Sequence, residues 1–271
     1  MGGGVADRRQ DGALTVTVQA PQKARRDSLS LHCGTANRPH PHKAAKGGED
    51  AVFADAATGV LGVADGVGSW ARKGIDAGLY SKELLARTAT AMRRDAVGPM
   101  SALTEAYEET SALGSATAVV ARLRADSSNT AVLDICAVGD AQLRIYRKGA
   151  LIAATVPKQY AFNTPMQLGT GSRDRPCDGE SVSFGGLMAG DTIVAASDGL
   201  WDNLFDEEVA TVVGAFQRNP SAAAEALATA AHNAAAETTR RSPFSVEAEA
   251  WGWRYVGGKM DDCGLAVAVV V

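Results

Sequence analysis

The chain has 271 residues, 46% hydrophobic and 21% charged, with a formal net charge of −4, a make-up ordinary for a soluble globular protein. That charge argues against nucleic acid as a broad, non-specific partner, and no apolar run approaches the roughly 18–20 residues of an integral membrane segment. The four cysteines, Cys33, Cys136, Cys177 and Cys263, form no C-x-x-C pair, which disfavours a zinc ribbon or a dithiol redox motif and reads as free thiols in a reducing compartment.

Residues 1–27 are polar and rich in Gly and Arg, apart from one alternating stretch, Leu14–Val18, and are expected to be a flexible extension. They lack the apolar centre of a secretory signal, and Ala6 stands where a myristoylation site after Gly2 carries Ser or Thr. "LSLHCG" reads as a first strand and the Pro- and Gly-rich "RPHPHKAAKGG" as loop. "AVFAD" and "GVLGVAD", separated by Ala56–Gly59, suit a hairpin. Leu79, Leu84, Leu85 and Met92 recur at helical spacing between Ile75 and Arg94, and a second helix is expected over Ser101–Leu113.

The period then changes. "SATAVVARLRA", "TAVLDICAVG" and "QLRIYRKG" read as strands broken by Gly114, Ser127-Ser128 and Gly139-Asp140. Residues 156–180 hold prolines, glycines and charges with little periodicity, the pattern of a functional loop. "SVSFGG" and "DTIVAAS" return to strand. "DEEVATVVGAFQ" and "PSAAAEALATAAHNAAAETTRR" read as helices, with Pro220 in a first turn, and "GLAVAVVV" is a last strand. The order of elements fits one α+β domain over residues 28–271, not an alternating βαβ chain.

Carboxylates recur where the strands end. "VAASDGLWD" runs an apolar strand into Asp198-Gly199, and "GVLGVADGVG" does the same at Asp65-Gly66. Glu49 and Asp50 precede one strand, Asp140 sits in a tight turn, and Asp261 and Asp262 precede the last strand. Each case alone is open to an ordinary turn, since Asp-Gly is common turn chemistry. As a set, carboxylates gathered at one end of a packed sheet repel one another in low dielectric. Hard divalent ions such as Mg²⁺ or Mn²⁺, which take oxygen ligands, relieve that repulsion.

The ordered words "GGEDA", "VADGVGSW", "GSATAVV", "AVGDAQL", "VAASDGLWDN" and "GGKMDDCGLAVAVV" resemble the metal-dependent protein phosphatase 2C (PPM) family from about Leu29 to Val271. "SPFSVEA", "FNTPMQLG" and "DGVGSW" resemble its organellar branch, and "HPHKAAKGGEDAVF" with "YSKELLARTA" its chloroplast members. The resemblance implies a four-layer sandwich, two central antiparallel sheets with helices on both outer faces. It implies Ser/Thr phosphatase activity by attack of a water shared between two Mg²⁺ or Mn²⁺ ions. Asp65 would bridge both ions and the Gly66 carbonyl bind one; Asp198 and Asp261 would hold the first and Glu49 the second. Asp50 would orient water, Asp140 with Asp198 would hold a weaker third ion, and Asp262 would support the ligands. The catalytic set is therefore Asp50, Asp65 and Asp198. Phosphoproteins would be the partners, photosystem II core proteins of the thylakoid among them, met by a monomer in the chloroplast stroma or, alternatively, the mitochondrion.

Two departures stand out. Where many relatives carry His after the Asp-Gly pair, this chain has Val67, which cannot supply a proton. Where many carry an Arg ahead of the Glu-Asp pair, this chain offers Lys43 or Lys46 to grip phosphate. A non-catalytic pseudophosphatase is the alternative function, and intact Asp65, Asp198 and Asp261 speak against it. No P-loop is present, and "GTGSRD" lacks the third glycine of a dinucleotide loop. His40 and His42 on a Pro-rich loop read as exposed more readily than as zinc ligands. Trp251 and Trp253 read as packing or gating residues more readily than as a base-stacking platform.

Overall fold

Period-two apolar runs pair here into two antiparallel sheets whose inner faces meet. The computed structural model describes residues 29–94, 96–127 and 130–271; the extension 1–27 and the stretch Leu14–Val18 lie outside the described residues. In chain order the strands are β1 Leu31–Arg38, β2 Asp50–Asp55, β3 Val60–Gly66, β4 Ser115–Ala125, β5 Ala131–Val138, β6 Gln142–Arg147 and β7 Ala150–Ala154. They continue as β8 Gln159–Ala161, β9 Thr164–Pro165, β10 Leu168–Gly169, β11 Glu180–Gly185, β12 Thr192–Ala196 and β13 Cys263–Val270. The helices are α1 Ala77–Met92, α2 Pro99–Glu109, α3 Asp198–Trp201, α4 Asp206–Ala215, α5 Pro220–Ala236 and α6 Pro243–Ala250.

One sheet runs β1-β13-β12-β6-β7 and the other β11-β5-β4-β3-β2, with β10 added beside β4. Leu61, Val63, Val119 and Ile135 from the second meet Ile145, Ile193, Ala266 and Ala268 from the first in an apolar inner layer. The outer face of the first sheet, with Val194, Leu265 and Val267, is covered by α3, α4 and α5 through Leu200, Val209 and Leu227. The outer face of the second, with Ala64, Ala118 and Val120, is covered by α1 and α2 through Leu84, Met92 and Leu103. This is the four-layer sandwich implied by the resemblance.

Three details differ from the sequence expectation. The loop "RPHPHKAAKGG" contains a short 3-10 helix, Pro41–Lys46, closed by Gly47 in the left-handed region at φ 77°. The second helix starts at Pro99, where the ring's fixed φ suits a first turn. The segment 156–180 is not a free loop. It folds into the β8–β9 hairpin and β10, and buried Asp174 accepts hydrogen bonds from the Gln167 N–H (2.9 Å) and the Tyr160 hydroxyl. A buried carboxylate that gathers two donors ties the segment down, which periodicity does not reveal.

Candidate metal centre

The strand ends deliver the carboxylates. Asp50 opens β2 and lies opposite Asp65 near the end of β3, so their proximity is a matter of register. Asp140 follows β5 in the turn to β6, while Asp261 and Asp262 precede β13, which pairs with β12 in the facing sheet. At the end of β12 the chain does not turn back. Asp198 is the first residue of the one-turn helix α3, and the Asp202 N–H donates to the Asp198 carbonyl at 2.8 Å. Residues four apart share a helix face, so Asp198 and Asp202 face the same way. Two glycines are needed for this closeness. A Cβ on Gly66 would lie 2.7 Å from the Glu49 carbonyl oxygen, and one on Gly199 would collide with the Asp262 carbonyl.

The rims of the two sheets enclose a cleft of about 420 Å³, lined by Asp65, Gly66, Asp140, Asp198, Asp261 and Lys43 among others. Glu49 and Asp50 sit behind its wall, 7% and 0% exposed. Asp50 Oδ2 accepts from the Gly264 N–H and the Ser197 hydroxyl, both at 2.7 Å. Asp262 is anchored too, accepting from the N–H groups of His40 (2.7 Å) and Glu49 (3.1 Å). It thus supports the Glu49 backbone.

The electrostatics are those of an under-compensated acidic site. Burial, then the charges of Asp50, Asp198, Asp261 and Asp140, holds Asp65 well above the usual carboxylate range. Burial and Asp262 push Asp50 up to about 8, and burial and Asp198 push Asp140 up to about 7. Asp261 is raised by burial and by Asp198. Asp198 is the exception: burial opposes ionisation, but the Lys259 ammonium outweighs it and holds the carboxyl below its ordinary value.

Two ammoniums are set against this group. Lys43 Nζ pairs with Glu49 Oε2 (2.5 Å), Asp262 Oδ2 (2.8 Å) and Asp261 Oδ1 (3.4 Å). Lys259 Nζ pairs with Asp198 Oδ2, with Asp202 Oδ2 at 2.8 Å and with Asp261 Oδ2 at 3.7 Å. Among the described residues, no three acidic, His or Cys side chains converge on one ready-made metal position; lysines stand between the carboxylates instead. The donors nevertheless fit hard divalent cations. All are oxygens, and Asp50 Oδ1 and Asp198 Oδ1 are buried without a hydrogen-bond partner. Asp65 and Asp198 line the same cleft, and the charge of Asp198 is one of the causes that raise Asp65, a repulsion that a cation between them would relieve.

Of the residues named from sequence, Lys43 reaches the cleft, whereas Lys46 is exposed on the same short helix and does not line it. Val67 lines the cleft, its N–H donating to the Ser115 carbonyl at 2.9 Å. None of the four histidines is among the lining residues. The His42 N–H donates to His40 Nδ1 at 3.0 Å with the rings edge to face, so the pair caps its own turn. Trp253 stacks on Phe162, which in turn packs on Phe244, beside the cleft residue Asn163. Trp251 is half exposed. Arg175 is committed to Tyr107, donating to its hydroxyl at 2.8 Å, whereas Arg173 lines a groove that shares Thr164, Pro165 and Gln167 with the cleft. Sequence reasoning missed Asp202 and Lys259. The spacing of four from Asp198 signalled the first; nothing in the pattern signalled the second.

No family model matches the chain. It is 37% identical over 267 residues to the probable protein phosphatase 2C 1 of Oryza sativa subsp. japonica, covering 93% of this chain and 78% of that protein. Several other plant relatives are longer, the chain spanning between 43% and 59% of their length. Among solved structures, the photosystem II phosphatase PBCP superposes with a TM-score of 0.83 at 38% identity, covering 89% of this chain and 99% of that one. The catalytic domain of the serine/threonine phosphatase PstP, solved with two manganese ions, superposes with a TM-score of 0.64 at 19% identity, covering 90% and 99%. That second likeness speaks for the fold alone.

Proposed function

The chain belongs to the metal-dependent protein phosphatase 2C family of Ser/Thr protein phosphatases, and we propose that it hydrolyses phosphoserine and phosphothreonine in proteins using two Mg²⁺ or Mn²⁺ ions held in the carboxylate cleft. The observation that carries this reading is the convergence of Asp65, Asp140, Asp198 and Asp261 from separate strand ends on one cleft, where burial and then neighbouring carboxylates push Asp65, Asp140 and Asp261 up. Asp65, Asp198 and Asp261 would hold one ion and Asp65 with Glu49 the other, with the Gly66 carbonyl binding one of the two. Bound divalent cations acidify water and neutralise charge developing on a phosphoryl group.

The chain's own groups do the rest. Asp50 has one oxygen fixed by Gly264 and Ser197 and the other unpartnered, so it is built to accept a hydrogen bond from water and orient it. Lys43 lines the cleft with a strongly basic ammonium, since its ion pairs with Asp262 and Glu49 outweigh burial. It can therefore turn a donor toward a substrate phosphate. The proton for the leaving alkoxide cannot come from Val67, and no histidine lines the cleft. Water held at Asp50 supplies it in this reading.

For the substrate, the likeness to the photosystem II phosphatase supports photosystem II core phosphoproteins, and with them the chloroplast. The test is hydrolysis of a phosphothreonine peptide with Mn²⁺, with EDTA, and in ¹⁸O-labelled water, followed by phosphorylated photosystem II core peptides against unrelated ones. Turnover that needs Mn²⁺ and places one labelled oxygen in the released phosphate supports direct attack by water. Activity in EDTA would overturn the two-ion reading. Equal rates on all peptides would remove the photosystem assignment while leaving the chemistry intact.

A further inference from the structure

Beside the positions assigned to two ions, the cleft has a further acidic corner. Asp140 comes from the β5–β6 turn, Asp198 opens α3, and Asp202 caps that helix one turn later. A small cavity of about 30 Å³ lies against all three, about the room one water or ion needs. The resemblance implies a weaker third ion between Asp140 and Asp198. In this chain two of these three carboxylates are already paired with a positive charge from the side of the main cleft. Lys259 Nζ contacts Asp198 Oδ2 and lies 2.8 Å from Asp202 Oδ2.

We propose that Lys259 is a built-in cation that replaces a third divalent ion, so that the enzyme binds two ions and no more. The inference rests on the two-ion reading above. Its support is the way Lys259 is held. The Lys259 N–H donates to Asn203 Oδ1 at 2.9 Å, and Asn203 Nδ2 donates to the Lys259 carbonyl at 2.8 Å and the Gly199 carbonyl at 3.0 Å. Asn203 is 0% exposed. One buried amide thus locks the lysine backbone to the helix that carries its two carboxylate partners. The ammonium also lies 5.0 Å from the Phe244 ring centre, a cation–π contact that fixes its direction.

A charge held this way cannot leave without stranding the carboxylates it compensates. A divalent ion entering the corner would meet like charge at close range and find both Asp198 Oδ2 and Asp202 Oδ2 taken. Lys259 would therefore act as a positioning residue. With Oδ2 occupied, Asp198 keeps Oδ1, which has no hydrogen-bond partner, available for the ion it shares with Asp65 and Asp261.

The experiment counts Mn²⁺ per chain by calorimetry and by equilibrium dialysis with elemental analysis, from micromolar to millimolar ion. The wild type is expected to saturate at two. Lys259→Met and Lys259→Gln are expected to gain a third, weaker site, which Asp202→Asn removes again. Lys259→Arg, which keeps the charge, should stay at two. Two neutral variants guard against one failing to fold, and a melting curve of each identifies folded protein. A wild type that binds three ions, or folded neutral variants that still bind two, would overturn the role of Lys259 while sparing the two-ion reading. A wild type binding fewer than two would overturn both.

Discussion

The two ends of the cleft each set a lysine among carboxylates, but the chain holds the two lysines differently. Lys43 rises from a 3-10 helix, Pro41–Lys46, in which no residue is buried, and its side chain is 28% exposed. Lys259 is 16% exposed and is gripped through its backbone by buried Asn203. Both reach Asp261, Lys43 at one carboxylate oxygen and Lys259 at the other. Lys43 also has a partner that need not serve an ion, the buried carboxylate of Asp262. It can therefore release Glu49 and Asp261 while staying paired. Where an ammonium sits on a pliant support it can give way to a metal or turn to a substrate; where its backbone is locked it becomes part of the site. The identity of the side chain does not decide this. The support does.

The largest way to break the comparison is to remove a carboxylate that serves both ends. Asp65→Ala and Asp198→Ala should each lower kcat by about 10³-fold or more, since the bound ions supply several kcal/mol of transition-state stabilisation. The metal-free melting temperature of Asp65→Ala should not fall, because that change removes a carboxyl whose charge its neighbours repel. Steady-state assays and melting curves in EDTA check both halves. Near-normal turnover in either variant would dismantle the assignment.

Next in size is the contrast within one short helix. Lys43→Met should lower kcat/KM on a phosphothreonine peptide by about 10–100-fold, the value of a hydrogen bond to a charged group. Exposed Lys46→Met should leave it unchanged. Equal effects would mean that the cleft takes its phosphate contact elsewhere.

The metal-free acidic site also makes stability depend on pH. Asp50 and Asp140 are pushed up to about 8 and about 7, so between about pH 4 and pH 8 the folded protein keeps protons that the unfolded chain has released. The unfolded state then binds fewer protons, and stability falls as pH rises through that window. Melting in EDTA should drop by several degrees from pH 5 to pH 8, and saturating Mn²⁺ should flatten the curve. A metal-free melting temperature that rises over this range would contradict the buried, repelling arrangement.

The smallest expected effect tests the lock itself. Asn203→Ala removes bonds to the Lys259 backbone and the Gly199 carbonyl and should cost about 1–3 kcal/mol. In a chain of this length each kcal/mol lowers Tm by about 2–4 °C. The same variant should loosen Lys259 and begin to admit a third Mn²⁺. Loss of stability with the ion count unchanged would show that the lysine is held by its carboxylates alone.

The strands and the carboxylates at their ends were legible because they are local signals. "GVLGVADG" and "TIVAASDG" show apolar runs stopping at Asp-Gly, and register within one hairpin is enough to set Asp50 against Asp65. The helix α6, Pro243–Ala250, was readable only as a family word: it is eight residues long, although Ser242 caps it and Pro243 opens it. Strand β7, Ala150–Ala154, escaped because its residues are nearly all exposed and carry no alternation. The flap around Asp174 escaped because its order comes from one buried carboxylate rather than from a period.

By itself, then, the sequence determined which carboxylates stand at strand ends, that the carboxylate-bearing words come in a family's order, and that Val67 cannot act as an acid. Only the tertiary structure decided that Lys43 rather than Lys46 faces the cleft, that Asp202 joins Asp198, and that Lys259 pairs with both. The physical reason is range. A strand end and its aspartate are neighbours along the chain, whereas Lys259 meets Asp198 across 61 residues and is held by an asparagine 56 residues away.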